Sequence, residues 1–438
     1  MTKSTRRQFL KTSALATAGA PFILKSAFAS AGRIAPSDRI TIGMIGFGRM
    51  ARGHANSFAS QPDTQVVAIS DVADIRMEEG ARQVNEYYAE NSDSGNYSGC
   101  SMHGDFREII DREDIDAVII STPDHWHAIP SIMAANAGKH VYCEKPLCHT
   151  IREGRAVSDA VNRNGIVFQT GSQQRSEHEG RFRRAVELVR NGRIGQLHSI
   201  HVGVGSSPVL CDLPAERLPE GIDWNRWLGP APWRPFNQIL CPTDVHGHFP
   251  NWRLYSEYAG GIMADWGTHH YDIAQWALDM DHSGPVEVHP PAFGLNGGLM
   301  FRYANGVKMY HGNDRNAVTF QGSDGEITVA RGFLEATPDS ILNETPGAGE
   351  LRLYDPNQVN HKRNWLDCIK SGERPVADAE TGHRSNTICA LANIGYLLQR
   401  SLEWNPETEQ FVEDPEANRY LDKVYREPWT LEAAINSW

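Results

Sequence analysis

Gly46-Phe47-Gly48-Arg49-Met50-Ala51, set directly after the apolar run Arg39 to Ile45, constrains this chain more than any other feature. An apolar run entering glycine-x-glycine-x-x-alanine reads as a buried strand, a tight turn and a helix start. The first glycine permits the turn, the second lets backbone approach a pyrophosphate, and the small third residue lets helix and strand pack closely. A helix beginning near Arg49 points its positive end at such phosphates. Alone the motif is weak, so its surroundings matter. Gln65 to Asp71 reads as a second strand ending in an acid, 25 residues beyond Gly46. An acid there can hydrogen-bond ribose hydroxyls and repel a 2′-phosphate, favouring NAD over NADP. The plainer alternative for Asp71 is an ordinary turn carboxylate.

A third apolar run, Ile115 to Ile120, leads into Ser121-Thr122-Pro123-Asp124-His125-Trp126-His127. A helix from Ala128 to Ala137 and a strand from His140 to Cys143 complete another β-α-β unit. Glu144-Lys145-Pro146 then falls just past a strand, at the carboxyl edge where open parallel sheets bind ligands. Lysine at a strand end is ordinarily a solvated group, but this position and the adjoining proline favour a functional reading. A hydride carrier with an ammonium beside it suggests alcohol–ketone redox chemistry. The expected cofactor contacts are Gly46, Phe47, Gly48, Arg49, Met50, Asp71, Thr122, Pro123, His127, Glu144 and Lys145.

With Gly260-Gly261-Ile262-Met263-Ala264-Asp265-Trp266-Gly267-Thr268-His269, these motifs resemble the glucose–fructose oxidoreductase/inositol dehydrogenase family, Gfo/Idh/MocA, over nearly all of the chain. The resemblance implies an α/β fold: an N-terminal Rossmann domain and a C-terminal α/β domain with an open, mostly antiparallel sheet that often supports oligomerisation. It also implies redox chemistry at a carbohydrate or cyclitol hydroxyl, so a small-molecule sugar or glycoside is the expected partner. Lys145 would contact the reacting hydroxyl, often beside a cis Lys-Pro bond, and Asp265 and His269 would complete the catalytic set. Four residues apart, Asp265 and His269 share a helix face. A carboxylate bonded to one imidazole nitrogen would fix the tautomer and raise the basicity of the other. His269 would accept the hydroxyl proton, and Lys145 would stabilise the alkoxide as hydride leaves for nicotinamide C4. Asp272, near the same face, is either structural or a substrate contact. Two competing functions remain: an NAD-dependent glycosidase that oxidises the sugar transiently, and a non-catalytic sensor. The sensor ranks last because the lysine, aspartate and histidine are all present.

At 438 residues the chain can build two cores. The expected divisions are 1–29 as an export signal, 38–170 as the NAD-binding domain and 171–438 as a substrate and oligomerisation domain. Arg6-Arg7 before the apolar stretch Ala14 to Leu24, with Ala27-Phe28-Ala29 after it, resembles a twin-arginine signal, placing the mature protein in the periplasm or otherwise outside the cytoplasm. That route implies export of a folded protein carrying its cofactor. No run approaches a membrane span. A net charge of −12 argues against nucleic acid as the main partner. The seven cysteines are odd in number and follow no metal pattern, so neither a disulfide framework nor a metal is expected. His246-Gly247-His248 lacks further ligands at a recognisable spacing.

Val202 to Tyr258, rich in proline, reads as an excursion over the active-site face. Six of the eleven tryptophans fall between Trp224 and Trp276, suited to stacking on sugar or, for any one of them, to packing. Strands are expected at 286–288, 299–303, 307–310, 318–320 and 326–330, with a hairpin at Gly322-Ser323-Asp324-Gly325. Asn360 to Lys370 and Gly382 to Gln399 read as helices. His361 and His383 are further candidate substrate contacts.

Overall fold

The computed structural model describes residues 38–91, 99–244, 249–295, 297–312, 315–354 and 360–437. The export signal and His246-Gly247-His248 lie outside the described residues.

Six parallel strands form the first sheet: β1 (Ile40–Ile45), β2 (Thr64–Ser70), β3 (Ser101–His103), β4 (Ala117–Ile120), β5 (His140–Cys143) and β6 (Phe168–Thr170). Their order, β3-β2-β1-β4-β5-β6, is the doubly wound Rossmann order. Strands covered on both faces read as continuous apolar runs rather than alternating ones, which is why β1 and β4 were legible. Every residue of β4 is buried, as are Ile42, Met44 and Ile45 of β1. The strand order reverses between β1 and β4, so the glycine turn and the Ser121–His127 loop open onto one crevice at their carboxyl ends.

The second sheet has nine strands: β7 (Leu197–Gly203), β8 (Glu287–His289), β9 (Met300–Arg302), β10 (Lys308–Gly312), β11 (Val318–Gly322), β12 (Glu326–Ala330), β13 (Phe333–Thr337), β14 (Leu402–Asn405) and β15 (Gln410–Phe411). Only β7 and β10 pair in parallel, and all other neighbours are antiparallel. The β11–β12 hairpin turns at Gly322 to Gly325, as its glycines require. One face carries Ile200, Val202, Phe301, Met309, Phe320 and Val329 into a core with the helices Gly267–Ala277 and Ala379–Leu398. Helix Gly267–Ala277 is buried at every position, because it lies between this sheet and the loops below the first one.

Two late segments pack back onto the Rossmann layer. Helix His361–Ser371 adds Trp365, Leu366 and Cys368 to the core of Ile42, Phe58 and Ile119. Near the C-terminus Trp429, Leu431 and Ala434 join Trp126 and Ile129. Periodicity identified the first as a helix but carries no information about which domain its apolar face covers.

Candidate active site

A cleft opens at the carboxyl edge of the parallel sheet, lined by the glycine turn, Asp71, the Ser121–Asp124 loop and Lys145. Of the expected cofactor residues, all but Phe47 line it. The Phe47 ring is instead fully buried, in the position where a Cβ on Gly80 would collide with it at 2.8 Å. Phe47 acts through its backbone, its N–H donating to Asp71 Oδ2 at 2.7 Å.

The glycine turn fits a dinucleotide. Gly46 sits at φ +84°, and a Cβ there would lie 2.9 Å from the backbone nitrogen of Thr122. Gly48 has open space where a Cβ would stand, facing the cleft. It is also the N-cap of helix Arg49–Ala59 and supplies no side-chain cap, so the first-turn amides remain available to an anion. Ala51 is fully buried, allowing the close packing its place in the motif implies. Asp71 Oδ1 accepts from Ala73 N–H at 3.0 Å. With one backbone donor on each oxygen, the carboxylate keeps a lone pair on each for ribose hydroxyls. Arg76, not anticipated from the sequence, lines the same part of the cleft and donates to the Pro242 carbonyl at 2.8 Å.

Lys145 is the junction with the second domain. Its Nζ donates to the Asp265 carbonyl and to Asp265 Oδ1, both at 2.8 Å, and the Lys145-Pro146 bond is cis. Arg253 Nε lies 3.3 Å from the same Oδ1. Burial pushes the Asp265 carboxyl up, but Lys145 and Arg253 together hold it below the usual carboxylate range. The expected Asp265–His269 bond is not formed. Trp266 keeps helical backbone angles where Gly261–Asp265 meets Gly267–Ala277, but the Asp265 carboxylate is committed to the two cations and His269 Nδ1 is sealed without a partner. Burial, then nearby Lys145 and Arg331, hold the His269 pKa well below its usual value, so the imidazole is neutral.

Four other sequence candidates prove structural. His127, though against the cleft, places Nδ1 2.5 Å from the Pro146 carbonyl and Nε2 2.8 Å from that of Thr122. Burial lowers its pKa, and the neutral ring, with one N–H, donates to one of these carbonyls. His361 is fully buried between Ser176 Oγ at 3.0 Å and the Thr170 carbonyl at 2.8 Å. His383 is likewise buried, against Glu409 at 2.7 Å. Neither lines the cleft. Asp272 is fully buried and paired with Arg175 and Ser385. Glu144 does line the cleft, but its Oε1 is shared by His54 at 2.8 Å and Gln173 at 3.0 Å. Burial opposes that charge, yet chiefly His54 holds the Glu144 pKa at about 2. Of the tryptophans between Trp224 and Trp276, Trp227 and Trp252 line the cleft, as Trp126 and Trp429 do, Trp224 stacks on Trp227 at 4.6 Å, and Trp266 and Trp276 carry Arg331 and Arg175 on their rings.

Asp124, within a motif singled out by sequence but given no role there, lines the cleft with 3% exposure and an unpartnered Oδ2. Burial pushes its pKa up to about 8, with Asp265 adding to the effect and Arg253 opposing it. The unfolded chain loses this proton above about 3.8, whereas the folded one keeps it to about 8. Between those values unfolding releases a proton, so rising pH favours unfolding through this group. Asp124→Asn should therefore lose less thermal stability than the wild type between pH 5 and pH 8 (buffers chosen for the test, about three units apart). Parallel melting curves across that range would refute the assignment. Among the described residues no cluster of three or more histidine, cysteine or acidic side chains could hold a metal, all seven cysteines are free, and no helix is long and apolar enough to cross a membrane.

Residues 40–172 match the family model for an oxidoreductase NAD-binding Rossmann fold, and residues 208–431 match its C-terminal alpha/beta domain. The chain belongs to the Gfo/Idh/MocA oxidoreductase family. It is an enzyme of the NAD-binding oxidoreductase type. Myo-inositol 2-dehydrogenase of Thermotoga maritima is 23% identical over 385 residues, 83% of this chain and 96% of that protein. A glycosyl hydrolase family 109 protein of Shewanella baltica is 31% identical over 211 residues, 44% of each chain. Levoglucosan dehydrogenase in complex with NADH and levoglucosan superposes with a TM-score of 0.56 at 19% identity, over 83% of this chain and 99% of that one, a likeness of fold.

Proposed function

We propose that this oxidoreductase takes hydride from a hydroxyl-bearing carbon of a carbohydrate or cyclitol. The observation that carries the reading is the Lys145 ammonium, fixed at the cleft by two Asp265 oxygens and near a buried, neutral imidazole. When bound, NAD supplies the hydride acceptor at nicotinamide C4. The ammonium has three donors and Asp265 takes two, so one is left for the oxygen of the reacting hydroxyl. That hydrogen bond strengthens as the oxygen becomes an alkoxide. His269, neutral because it is desolvated, is the group able to take the hydroxyl proton. Asp265 is a positioning residue for Lys145 rather than for His269. The reading includes tight cofactor retention, export by the twin-arginine route and self-association through the open sheet. Cell fractionation and light scattering test the last two.

The experiment that tests the chemistry is mass and absorbance analysis of cofactor released from the purified protein, followed by a panel of sugars and aryl glycosides. Absorbance rising at about 340 nm with a stable oxidised product supports the dehydrogenase. Protein that neither carries nor accepts dinucleotide would overturn it. The similarity to the family 109 glycosyl hydrolase protein favours a second reading, NAD-dependent glycoside cleavage. Release of aglycone with no net NADH would establish that reading in place of the first.

A further inference from the structure

Arg331 occupies the turn between β12 and β13, on the second-domain side of the catalytic corner. Its guanidinium lies over the Trp266 ring at 4.6 Å, and its Nε donates to Gln174 Oε1 at 3.1 Å. The same Gln174 donates through Nε2 to the His269 carbonyl at 3.1 Å, and Trp266 also packs edge-on against the His269 ring at 6.0 Å. Two residues thus fix Arg331 relative to His269.

The other end of this side chain is unspent. Arg331 is half-buried, yet among the described residues its two terminal nitrogens donate to nothing and no carboxylate comes within ion-pair distance. Glu177, Asp265 and Glu144 act on it from farther away. Asp265 is held by Lys145 and Arg253, and Glu144 by His54 and Gln173. The two terminal nitrogens are therefore open to an incoming acceptor, and their planar fork matches a carboxylate with two parallel hydrogen bonds. Arg331 does not line the dinucleotide cleft, whose phosphate end lies at Gly46 to Met50. The cofactor pyrophosphate is therefore not its anion.

We propose that Arg331 receives a substrate carboxylate, so that the substrate class is a sugar acid. Its reacting hydroxyl lies at Lys145 and His269 and its carboxylate on the Arg331 fork. This rests on the sugar-dehydrogenase reading above and narrows it. The rest of the chain, at net −12, does not attract anions, so the preference has to come from a local group.

The test is calorimetric titration of the NADH-loaded protein with D-glucuronate and D-galacturonate against D-glucose and D-galactose. Each acid is expected to bind at least about tenfold more tightly than its neutral counterpart, the scale of a charge-assisted bidentate contact. Arg331→Gln should erase that preference, weakening the acids about tenfold and the neutral sugars and NADH much less. Arg331→Lys, which keeps charge without the fork, should restore part of it. Neutral sugars binding as tightly as acids, or an R331Q variant that weakens acids, neutral sugars and NADH alike, would overturn the proposal. Because the readout is binding, the two readings fail separately. Acid-selective binding with no substrate oxidised removes the dehydrogenase and keeps the anion site. Oxidation of neutral sugars with no acid preference does the reverse.

Discussion

Replacing Lys145 by methionine will lower kcat by about 10²–10³-fold, the cost of losing one preorganised donor to a developing oxyanion, and will leave NADH affinity nearly intact. Methionine keeps an unbranched apolar stem in a site where the lysine side chain is 15% exposed, so packing changes little. What disappears is the ammonium that Asp265 holds at 2.8 Å with one donor still free. Asp265 keeps Arg253 as a partner at 3.3 Å, which limits the structural damage. His269→Ala should cost about 10²–10⁴-fold, the range for a general base. Lys145 and His269 act on the same oxygen, so the double variant should be little worse than the poorer single one. Stopped-flow reduction of the bound cofactor and fluorescence titration with NADH separate chemistry from binding. A K145M enzyme retaining a tenth or more of the wild-type kcat, a bound set from the same donor-loss scale at about tenfold, would remove Lys145 from the reaction.

Arg175→Met will destabilise the fold by about 3–5 kcal/mol, the usual cost of stranding one member of a buried ion pair. Arg175 Nε and Nη2 donate to Asp272 at 2.8 Å each, and Nη1 and Nη2 donate to Asp281 at 2.8 and 2.7 Å. Asp272 is fully buried, so without the guanidinium its charge has only the Ser385 hydroxyl at 2.7 Å. Neutralising the stranded group as well, in Arg175→Met with Asp272→Asn, should recover a large part of the loss. Denaturant unfolding of the three variants measures both effects. Equal stability of R175M and wild type would show that the pair is not holding helix Gly267–Ala277 to the loop at Gln173–Arg175. The effect on activity should follow stability, since neither residue reaches the cleft.

Four strands of the parallel sheet, β1, β2, β4 and β5, were legible because they are covered on both faces, whereas β3, with Met102 exposed, and the three-residue β6 were not. Arg39 to Ile45 and Ile115 to Ile120 announce themselves as predominantly apolar runs, and β11 and β12 through the glycine-rich turn joining them. Strand β7, by contrast, breaks its alternation at His198-Ser199 within a histidine- and serine-rich stretch, so it carries no clean strand pattern. Only its partners β10 and β11 make it a central strand. Strands β14 and β15 are too short to carry a pattern at all. The histidines divide in the same way. A motif marks a residue as worth attention, but His127, His361 and His383 take their structural roles from backbone carbonyls and a hydroxyl or carboxylate supplied by distant segments.

The dinucleotide turn was determined by sequence alone, because its constraints are local. Gly46 must reach φ +84°, Gly48 must leave space open, and Ala51 must be small, all within one turn of chain. Lys145 was placed at a sheet edge by the strand before it. Tertiary structure decided what Lys145 and its neighbours do. Asp265 lies 120 positions away and bonds Lys145 instead of the nearer His269, and Gln174 and Trp266 bridge Arg331 to His269. Burial then sets the charge states, since desolvation leaves His269 neutral and Asp124 protonated while paired cations keep Asp265 ionised. Spacing along a chain can fix a turn or a helix face. Which charges meet, and which of them lose water, depends on how those faces pack.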